Sequence, residues 1–168
     1  MLELLLLRHA KSDWGQPGQD DHERDLAPRG VKAAGRIGRL IAERGLAPDL
    51  VLCSTARRAQ RTWELAAAAL AERPPCRHLR SLYLATPAQL LAAVRRQTAP
   101  RLMLVGHDPG LHQLALQLAA GGKPADLEAL RAKFPTGALA WLQLDVPAWA
   151  DPAPGWLAGF FRPRQLDD

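Results

Sequence analysis

Cysteine is scarce in this 168-residue sequence, which has only Cys53 and Cys76. Two cysteines outside a CxxC spacing argue against a disulfide framework and against a zinc site built on thiolates. Cys53 lies in an apolar run, so we expect it to be a small buried side chain. The cysteines therefore point to no metal chemistry.

Long apolar runs are also missing. Residues 2–7 are apolar apart from Glu3, but this run is far too short to span a bilayer. It has neither the basic region nor the small-residue cleavage site of a signal peptide. We therefore expect a cytoplasmic protein with no membrane partner.

Basic runs and internal repeats are absent as well. The formal net charge is +5, but the arginines are spread along the chain with few aromatic residues between them, which argues against nucleic-acid binding. The charge suits an anionic substrate at least as well. The length and the 48% of hydrophobic residues predict one domain, residues 1–168, with an ordinary core, and we expect a monomer.

The segment at residues 2–12, LELLLLRHAKS, combines an apolar run with a polar end. Such a run is typical of a strand covered on both faces, and open α/β sheets bind ligands at the carboxyl ends of their strands. Arg8, His9, Lys11 and Ser12 stand at such an end. A cation, an imidazole, an amine and a hydroxyl together suit phosphate, although an ordinary polar loop is the alternative.

The rest of the chain alternates predicted helices and strands. This pattern predicts a three-layer α/β/α sandwich around a mostly parallel sheet, with an antiparallel edge because the last two strands have no long helix between them. Ser54 and Thr55 are expected to cap the second helix, Asp126 to cap the fifth, and Gly121–Gly122 to end the fourth. The predicted helices lie near 29–44, after 55 to about 71, at 87–97, after 110, and at 126–133; the strands after the first lie at 50–53, within 76–83, and at 102–105, 137–144 and 156–161.

Three of the predicted strands end in polar residues. The first is followed by Arg8-His9, the second by the STARR sequence at 54–58, and the strand at 102–105 by a glycine and His107. Parallel strands would bring two imidazoles and two or three guanidiniums to one crevice, where they would repel each other without an anion. Arginine forks bind phosphoryl oxygens, so the crevice is predicted to hold a phosphoryl group.

The sequence has no glycine-rich P-loop, no Walker lysine and no acidic cluster for magnesium. The phosphoryl charge would therefore be met by arginine and histidine, with no metal and no other cofactor. A metal-free transfer needs a nucleophile, and a neutral histidine can serve. We expect the neighbouring arginines to disfavour the imidazolium form of His9.

Three motifs, in this order, resemble those of the histidine phosphatase superfamily, to which the phosphoglycerate mutases belong. They are RHAKS at 8–12, STARRAQRT at 54–62 and GHDPG at 106–110. Within the superfamily the chain resembles the small SixA-type phosphohistidine phosphatases, and the resemblance extends over nearly the whole chain. It implies a phosphoglycerate mutase-like α/β sandwich.

The resemblance implies roles for four residues. His9 would be the nucleophile that is transiently phosphorylated. Arg8 and Arg58 would hold the phosphoryl oxygens, and His107 would complete the pocket and stabilise the transition state.

Other residues beside the motifs have less defined roles. Arg57 is the competing choice for the second arginine, although alignment on the motif favours its neighbour. Lys11 and Ser12 are candidates for peripheral phosphate contacts. The charged segment 13–27 could form a lid or a partner surface, or merely a solvated loop.

The chain departs from the mutase-like pattern at one informative point. Those members carry a glutamate general acid after the second strand, whereas residues 74–86 contain no Asp or Glu. An alkoxide needs a proton to leave, while imidazole is a weak base with a pKa near ~6.5. The missing carboxylate therefore favours a phosphohistidine substrate, although His107, Asp108 or a water could supply a proton.

We therefore expect a cofactor-independent phosphatase of signal transduction that acts through phospho-His9 on phosphohistidine in a phosphotransfer protein. The alternative is a phosphatase of small phosphomonoesters that uses the same pocket. A phosphate- or phosphoprotein-binding module without turnover is a further alternative from another functional class.

Overall fold

The computed structural model describes residues 1–166, in which seven strands form a single sheet and five α-helices cover it. The leucine-rich start of the chain forms the first strand, as predicted. The strands are β1 Leu2–Arg8, β2 Leu50–Ser54, β3 Cys76–Leu79, β4 Arg101–Gly106, β5 Ala119–Gly122, β6 Leu139–Leu144 and β7 Gly155–Phe161; the helices are α1 Pro28–Glu43, α2 Arg57–Ala67, α3 Pro87–Arg95, α4 Gly110–Leu118 and α5 Pro124–Ala132.

The strand order is β3-β2-β4-β1-β6-β7-β5. Every neighbouring pair is parallel except β1–β6 and β6–β7, so β6 alone runs against the others. The mostly parallel sheet is confirmed. The antiparallel strand, however, lies inside the sheet and not at its edge, because the short β5 pairs parallel to the outer side of β7.

Gly121 and Gly122 do not end α4, as the sequence predicted, but belong to β5. The helix already ends at Leu118. A Cβ on Gly122 would lie 2.8 Å from the Leu157 carbonyl oxygen, and one on Gly121 would lie 3.1 Å from the Trp156 ring. The two glycines therefore permit close pairing with β7.

Two predicted helix caps are also wrong. Helix α2 begins at Arg57, after Ala56, with no side-chain cap; Ser54 is instead the last residue of β2, and Thr55 lies in the turn before the helix. Helix α5 begins at Pro124, before Asp126. A proline in the first helical turn has no backbone N–H and so needs no acceptor, which explains the earlier start. Helix α3, by contrast, has a side-chain cap, since Thr86 accepts a hydrogen bond from the Gln89 amide in a capping box.

Strand β1 lies at the centre of the core. Leu5 and Leu7 pack among residues of α1 and α2 on one face, whereas Leu4 and Leu6 pack among residues of α3, α4 and α5 on the other. All four leucines are fully buried, and each contributes about 1.5–3 kcal/mol by leaving water. Burial on both faces explains why this run lacks the alternation of a half-exposed strand. It also confirms the three-layer sandwich.

No helix within residues 1–166 has the length and apolar character needed to cross a bilayer.

Candidate active site

The site lies at the carboxyl edge of the three adjacent parallel strands β2, β4 and β1. The register pairs Arg8 with Gly106 and Cys53 with Val105, so all three strands end at the same level. His9 and His107, which follow β1 and β4, and Ser54, the last residue of β2, therefore meet at one edge, as the sequence predicted. Strand β4 lies between the other two and places His107 centrally.

His9 and His107 face each other, with ring centroids 5.2 Å apart, and are only 7% and 3% exposed. Nδ1 of His9 lies 2.7 Å from the carbonyl oxygen of Ala10. A carbonyl oxygen only accepts, so Nδ1 carries the proton in this contact. Neutral His9 therefore keeps its lone pair on Nε2.

The ring of His107 is held through both nitrogens. Nη2 of Arg58 lies 3.4 Å from Nδ1 and can only donate, so Nδ1 accepts. Nε2 then donates to the Ser54 hydroxyl oxygen at 2.8 Å, and this oxygen also accepts from the Ala56 amide at 3.2 Å. Ser54 thus orients His107 instead of capping a helix.

Burial keeps both histidines neutral at pH 7. It is the largest cause that lowers the pKa of His9 to about 4, and the charges of Arg58 and Arg8 lower it further. Burial, His9 and Arg58 lower the pKa of His107 to about 3. The sequence predicted the direction for His9, but burial has a larger effect than the arginines that it invoked.

The structure brings Arg58, and not Arg57, to the histidine pair. The Arg58 side chain is 6% exposed, whereas that of Arg57 is 60% exposed and pairs with Asp25 at 3.3 Å. Consecutive positions at the start of α2 point in different directions, so only one of them can face the sheet edge.

Arg8 has a buried donor available for a ligand. Its Nη1 donates to the Phe134 carbonyl oxygen at 2.9 Å, while its Nε is buried with no hydrogen-bond partner in the described chain. Burial lowers the pKa of the Arg8 guanidinium, and Asp108 opposes that shift. An unpaired buried N–H costs about 1–3 kcal/mol, so a bound anion at this point would be stabilising.

Comparisons with known proteins agree with this geometry. The sequence model of one protein family, the histidine phosphatase superfamily (branch 1), matches residues 4–82. An uncharacterized protein of Mycobacterium tuberculosis is 40% identical in an alignment of 164 positions that covers 94% of this chain and 100% of that protein.

Two solved structures are similar over almost their whole length. SixA of Agrobacterium tumefaciens, described as a candidate phosphohistidine phosphatase, has a TM-score of 0.82 and 31% identity, over 96% of this chain and 97% of that one. A SixA protein of Nakamurella multipartitia with the same description has a TM-score of 0.80 and 31% identity, over 96% of each chain. The chain belongs to the histidine phosphatase superfamily. Membership supports a phosphatase.

The RHAKS motif at residues 8–12 also holds the segment 13–27 in place. The Lys11 carbonyl oxygen accepts from the Ala27 amide at 2.9 Å, and Ser12 forms a β-bridge with Leu26. These are backbone contacts. The phosphate contacts suggested for the Lys11 and Ser12 side chains stay predictions.

Asp21 is a site residue that the sequence analysis missed. Its backbone oxygen accepts from Nη1 of Arg58 at 2.7 Å, and its Oδ2 accepts from Nη2 of Arg58 at 3.0 Å and from the hydroxyl of Tyr83. Burial alone would raise the pKa of Asp21, but the hydrogen bonds from Tyr83 and Arg58 hold it below its usual value. An ionised carboxylate therefore lies beside the arginine expected to bind phosphate.

Tyr83 and His22 complete this side of the site. The Tyr83 ring stands edge-on to His107 at 5.5 Å and to His22 at 4.9 Å between centroids. A ring nitrogen of His22 lies 2.8 Å from the Thr55 hydroxyl. Asp25 binds Arg61 Nη1 through both carboxylate oxygens at 3.0 and 2.9 Å. The segment 13–27 is thereby tied to α2 and to the edge of the pocket.

The residues 1–166 contain no group of three or more His, Cys, Asp or Glu side chains arranged to hold a metal ion. Asp108 is an acidic residue near Arg8, and its Oδ1 is buried with no hydrogen-bond partner among the described residues.

Proposed function

We propose that this superfamily member is a phosphohistidine phosphatase that acts through a covalent phospho-His9 intermediate, without a metal or other cofactor. The observation that carries the proposal is the state of His9. It is neutral, its Nε2 bears the lone pair, and it lies among Arg8, Arg58 and His107. A neutral imidazole in a cationic pocket is suited to attack phosphorus.

In the first step, Nε2 of His9 bonds to phosphorus. The bond between phosphorus and the ring nitrogen of the substrate breaks, and its electron pair stays on that nitrogen. In the second step, a water attacks phospho-His9 and inorganic phosphate leaves. Phosphoryl transfer depends mainly on positioning and on charge stabilisation, and the two arginines supply both.

The Ala10 carbonyl oxygen assists the first of these two steps. When Nε2 forms its bond to phosphorus, positive charge develops on the His9 ring. The hydrogen bond from Nδ1 to this oxygen, 2.7 Å long, stabilises that charge and keeps the ring in place. The contact therefore both orients the nucleophile and stabilises its product.

Phosphohistidine is favoured because residues 74–86 contain no carboxylate acid. Imidazole can leave without a strong protein acid, whereas an alkoxide cannot. A phosphotransfer protein is the partner that would present such a histidine. A single domain 1–168, a cytoplasmic location, a monomeric state and the absence of a nucleic-acid partner remain predictions that accompany this proposal.

The second candidate function is hydrolysis of small phosphomonoesters in the same pocket. The buried Oδ1 of Asp108, which has no hydrogen-bond partner in the described part of the chain, favours it because this carboxyl group beside Arg8 could act as the missing acid.

A rate comparison tests the proposal. One preparation is given a phosphohistidine-bearing phosphotransfer domain, a phosphohistidine peptide and a panel of small phosphomonoesters, with His9→Ala as the control. A strong preference for the phosphohistidine substrates, abolished in the control, is expected. A preference for a small monoester would keep the nucleophile but reject the substrate, and phosphate binding without turnover would indicate a binding module.

A further inference from the structure

The carboxylate of Asp21 lies beside Arg58, the arginine that also contacts His107. Three hydrogen bonds hold Asp21 at the pocket, two from Arg58 and one from Tyr83. The charge of its carboxylate also raises the pKa of His9 and of His107, because it lies close to both rings. A pocket built for phosphate thus carries a fixed negative charge.

This charge has opposite effects on the two substrate classes. It disfavours a leaving group that becomes an anion, such as the alkoxide of a sugar or glycerate phosphate, because like charges repel at short range. It favours a leaving group that bears an N–H donor. The ring of phosphohistidine has such a donor when the nitrogen that does not carry phosphorus is protonated.

We propose that Asp21 is a specificity-determining residue, whose carboxylate accepts a hydrogen bond from the distal N–H of a phosphorylated imidazole and so selects N-phosphates over O-phosphates. This inference rests on the proposed phosphohistidine phosphatase function.

With this contact, the leaving step needs no general acid. The distal nitrogen of the substrate ring keeps its proton throughout. As the P–N bond breaks, the electron pair moves to the nitrogen that carried phosphorus, and the ring leaves as neutral imidazole instead of imidazolate. Asp21 accepts a hydrogen bond and takes no proton, so its lowered pKa is compatible with this role.

The carboxylate has a free acceptor for this contact. Oδ2 already accepts hydrogen bonds from Arg58 and Tyr83. Oδ1 has no hydrogen bond in the chain as described, since Nε of Arg24 lies 3.8 Å away, beyond hydrogen-bond length. The Asp21 side chain is 40% exposed and therefore accessible to a ligand.

Substrate binding does not require Asp21 to leave Arg58. A guanidinium has five N–H groups, and the contacts with Asp21 and His107 use three of them. A phosphoryl oxygen can therefore bind Arg58 while the carboxylate stays in place. Tyr83 also donates to Oδ2 and stands edge-on to His107, but the two hydrogen bonds from Arg58 hold the Asp21 carboxylate in place without it.

The test compares two small substrates, phosphoimidazole and p-nitrophenyl phosphate, in four proteins: the wild type, Asp21→Asn, Asp25→Asn and Tyr83→Phe. Asp25→Asn is the matched control, because it makes the same change in the same segment at a carboxylate that binds Arg57 and Arg61. Tyr83→Phe removes a donor but leaves the carboxylate. The quantity measured is the ratio of kcat/KM between the two substrates.

We expect Asp21→Asn to lower kcat/KM for phosphoimidazole about tenfold or more, the loss typical of one charge-assisted hydrogen bond. The value for p-nitrophenyl phosphate should change less than about threefold or rise, since a negative charge beside the leaving group is removed. Asp25→Asn and Tyr83→Phe should keep the wild-type ratio within about twofold to threefold.

Two results would overturn the inference and are distinguishable. Equal losses on both substrates in Asp21→Asn, or the same loss of ratio in Tyr83→Phe, would mean that Asp21 only positions Arg58 or orders the segment. The proposed function would then stand. A wild type that hydrolyses p-nitrophenyl phosphate but not phosphoimidazole would reject the phosphohistidine substrate, and the inference with it.

Discussion

Nδ1 of His9 donates a hydrogen bond to the carbonyl oxygen of Ala10, the residue that follows it, over 2.7 Å. This contact decides which nitrogen of the ring is available. Because the donor proton is on Nδ1, the lone pair is on Nε2, and a phosphoryl group transferred to His9 is expected at Nε2. The backbone of the loop that carries His9 thus selects the ring nitrogen that keeps a lone pair.

The first prediction concerns this nucleophile. His9→Ala should lower turnover by about three or more orders of magnitude and abolish acid-labile phosphate on the protein, because no other group replaces the attacking nitrogen. Rapid quenching and mass spectrometry of the wild type during turnover should locate the phosphate on His9. His78→Ala, at an exposed histidine, is the control. Phosphate trapped at His107 instead would reverse the two roles.

The second prediction separates two neighbouring arginines. Arg58→Ala should weaken binding of inorganic phosphate and lower kcat/KM by about a hundredfold or more, because a buried charged donor is lost at the phosphoryl position. Arg57→Ala should change both by less than about threefold, since its side chain is 60% exposed and pairs with Asp25 at the surface. Calorimetry and steady-state rates measure the two effects. Similar losses in both variants would contradict the assignment.

Much of the fold and of the site could be predicted because the signals are local. The four consecutive leucines of β1 predict a strand that is buried on both faces, because an exposed strand would alternate apolar and polar residues. The polar residues after β1, β2 and β4 follow their strands directly, so parallel pairing alone brings His9 and His107 together. No knowledge of distant contacts was needed for these steps.

The parts that the sequence did not predict depend on contacts between distant residues. Asp21 meets Arg58 across 37 positions and Tyr83 across 62, and within its own segment it is one of several charged residues. The requirement for an anion beside the clustered cations was the only signal that could have indicated such a residue. Strand β5, with the sequence AAGG, has no apolar pattern, and only its pairing with β7 makes it a strand.

The third prediction follows from the pKa values of the buried histidines. His9 and His107 have pKa values of about 4 and about 3 in the folded protein, against about 6.5 when unfolded. Below pH 6.5 the unfolded state binds protons that the folded state does not, so stability is lost as the pH falls through this window towards the folded values. Each histidine contributes a slope of about 1.4 kcal/mol per pH unit.

Urea unfolding at several pH values between 7 and about 4.5 measures this slope. His107→Gln should reduce the loss of stability per pH unit by about half the histidine contribution, because one of the two neutral buried rings is removed. His78→Ala, which changes an exposed ring, should leave the slope as in the wild type. A wild-type stability that does not change between pH 6.5 and 4.5 would mean that neither ring is held neutral.

The fourth prediction concerns Thr62, which joins the loop that follows His9 to the helix that carries Arg58. Its fully buried hydroxyl accepts from the Ala10 amide at 2.9 Å and donates to the Arg58 carbonyl oxygen at 2.7 Å. Thr62→Val keeps the shape but leaves the Ala10 amide without its partner, which should cost about 1–3 kcal/mol of unfolding free energy. Because that amide belongs to the residue whose carbonyl orients His9, kcat should fall while phosphate affinity changes little. Thr62→Ser, which retains the hydroxyl, should restore kcat, and a Ser variant as slow as the Val variant would show that the methyl group, and not the hydrogen bond, positions the loop.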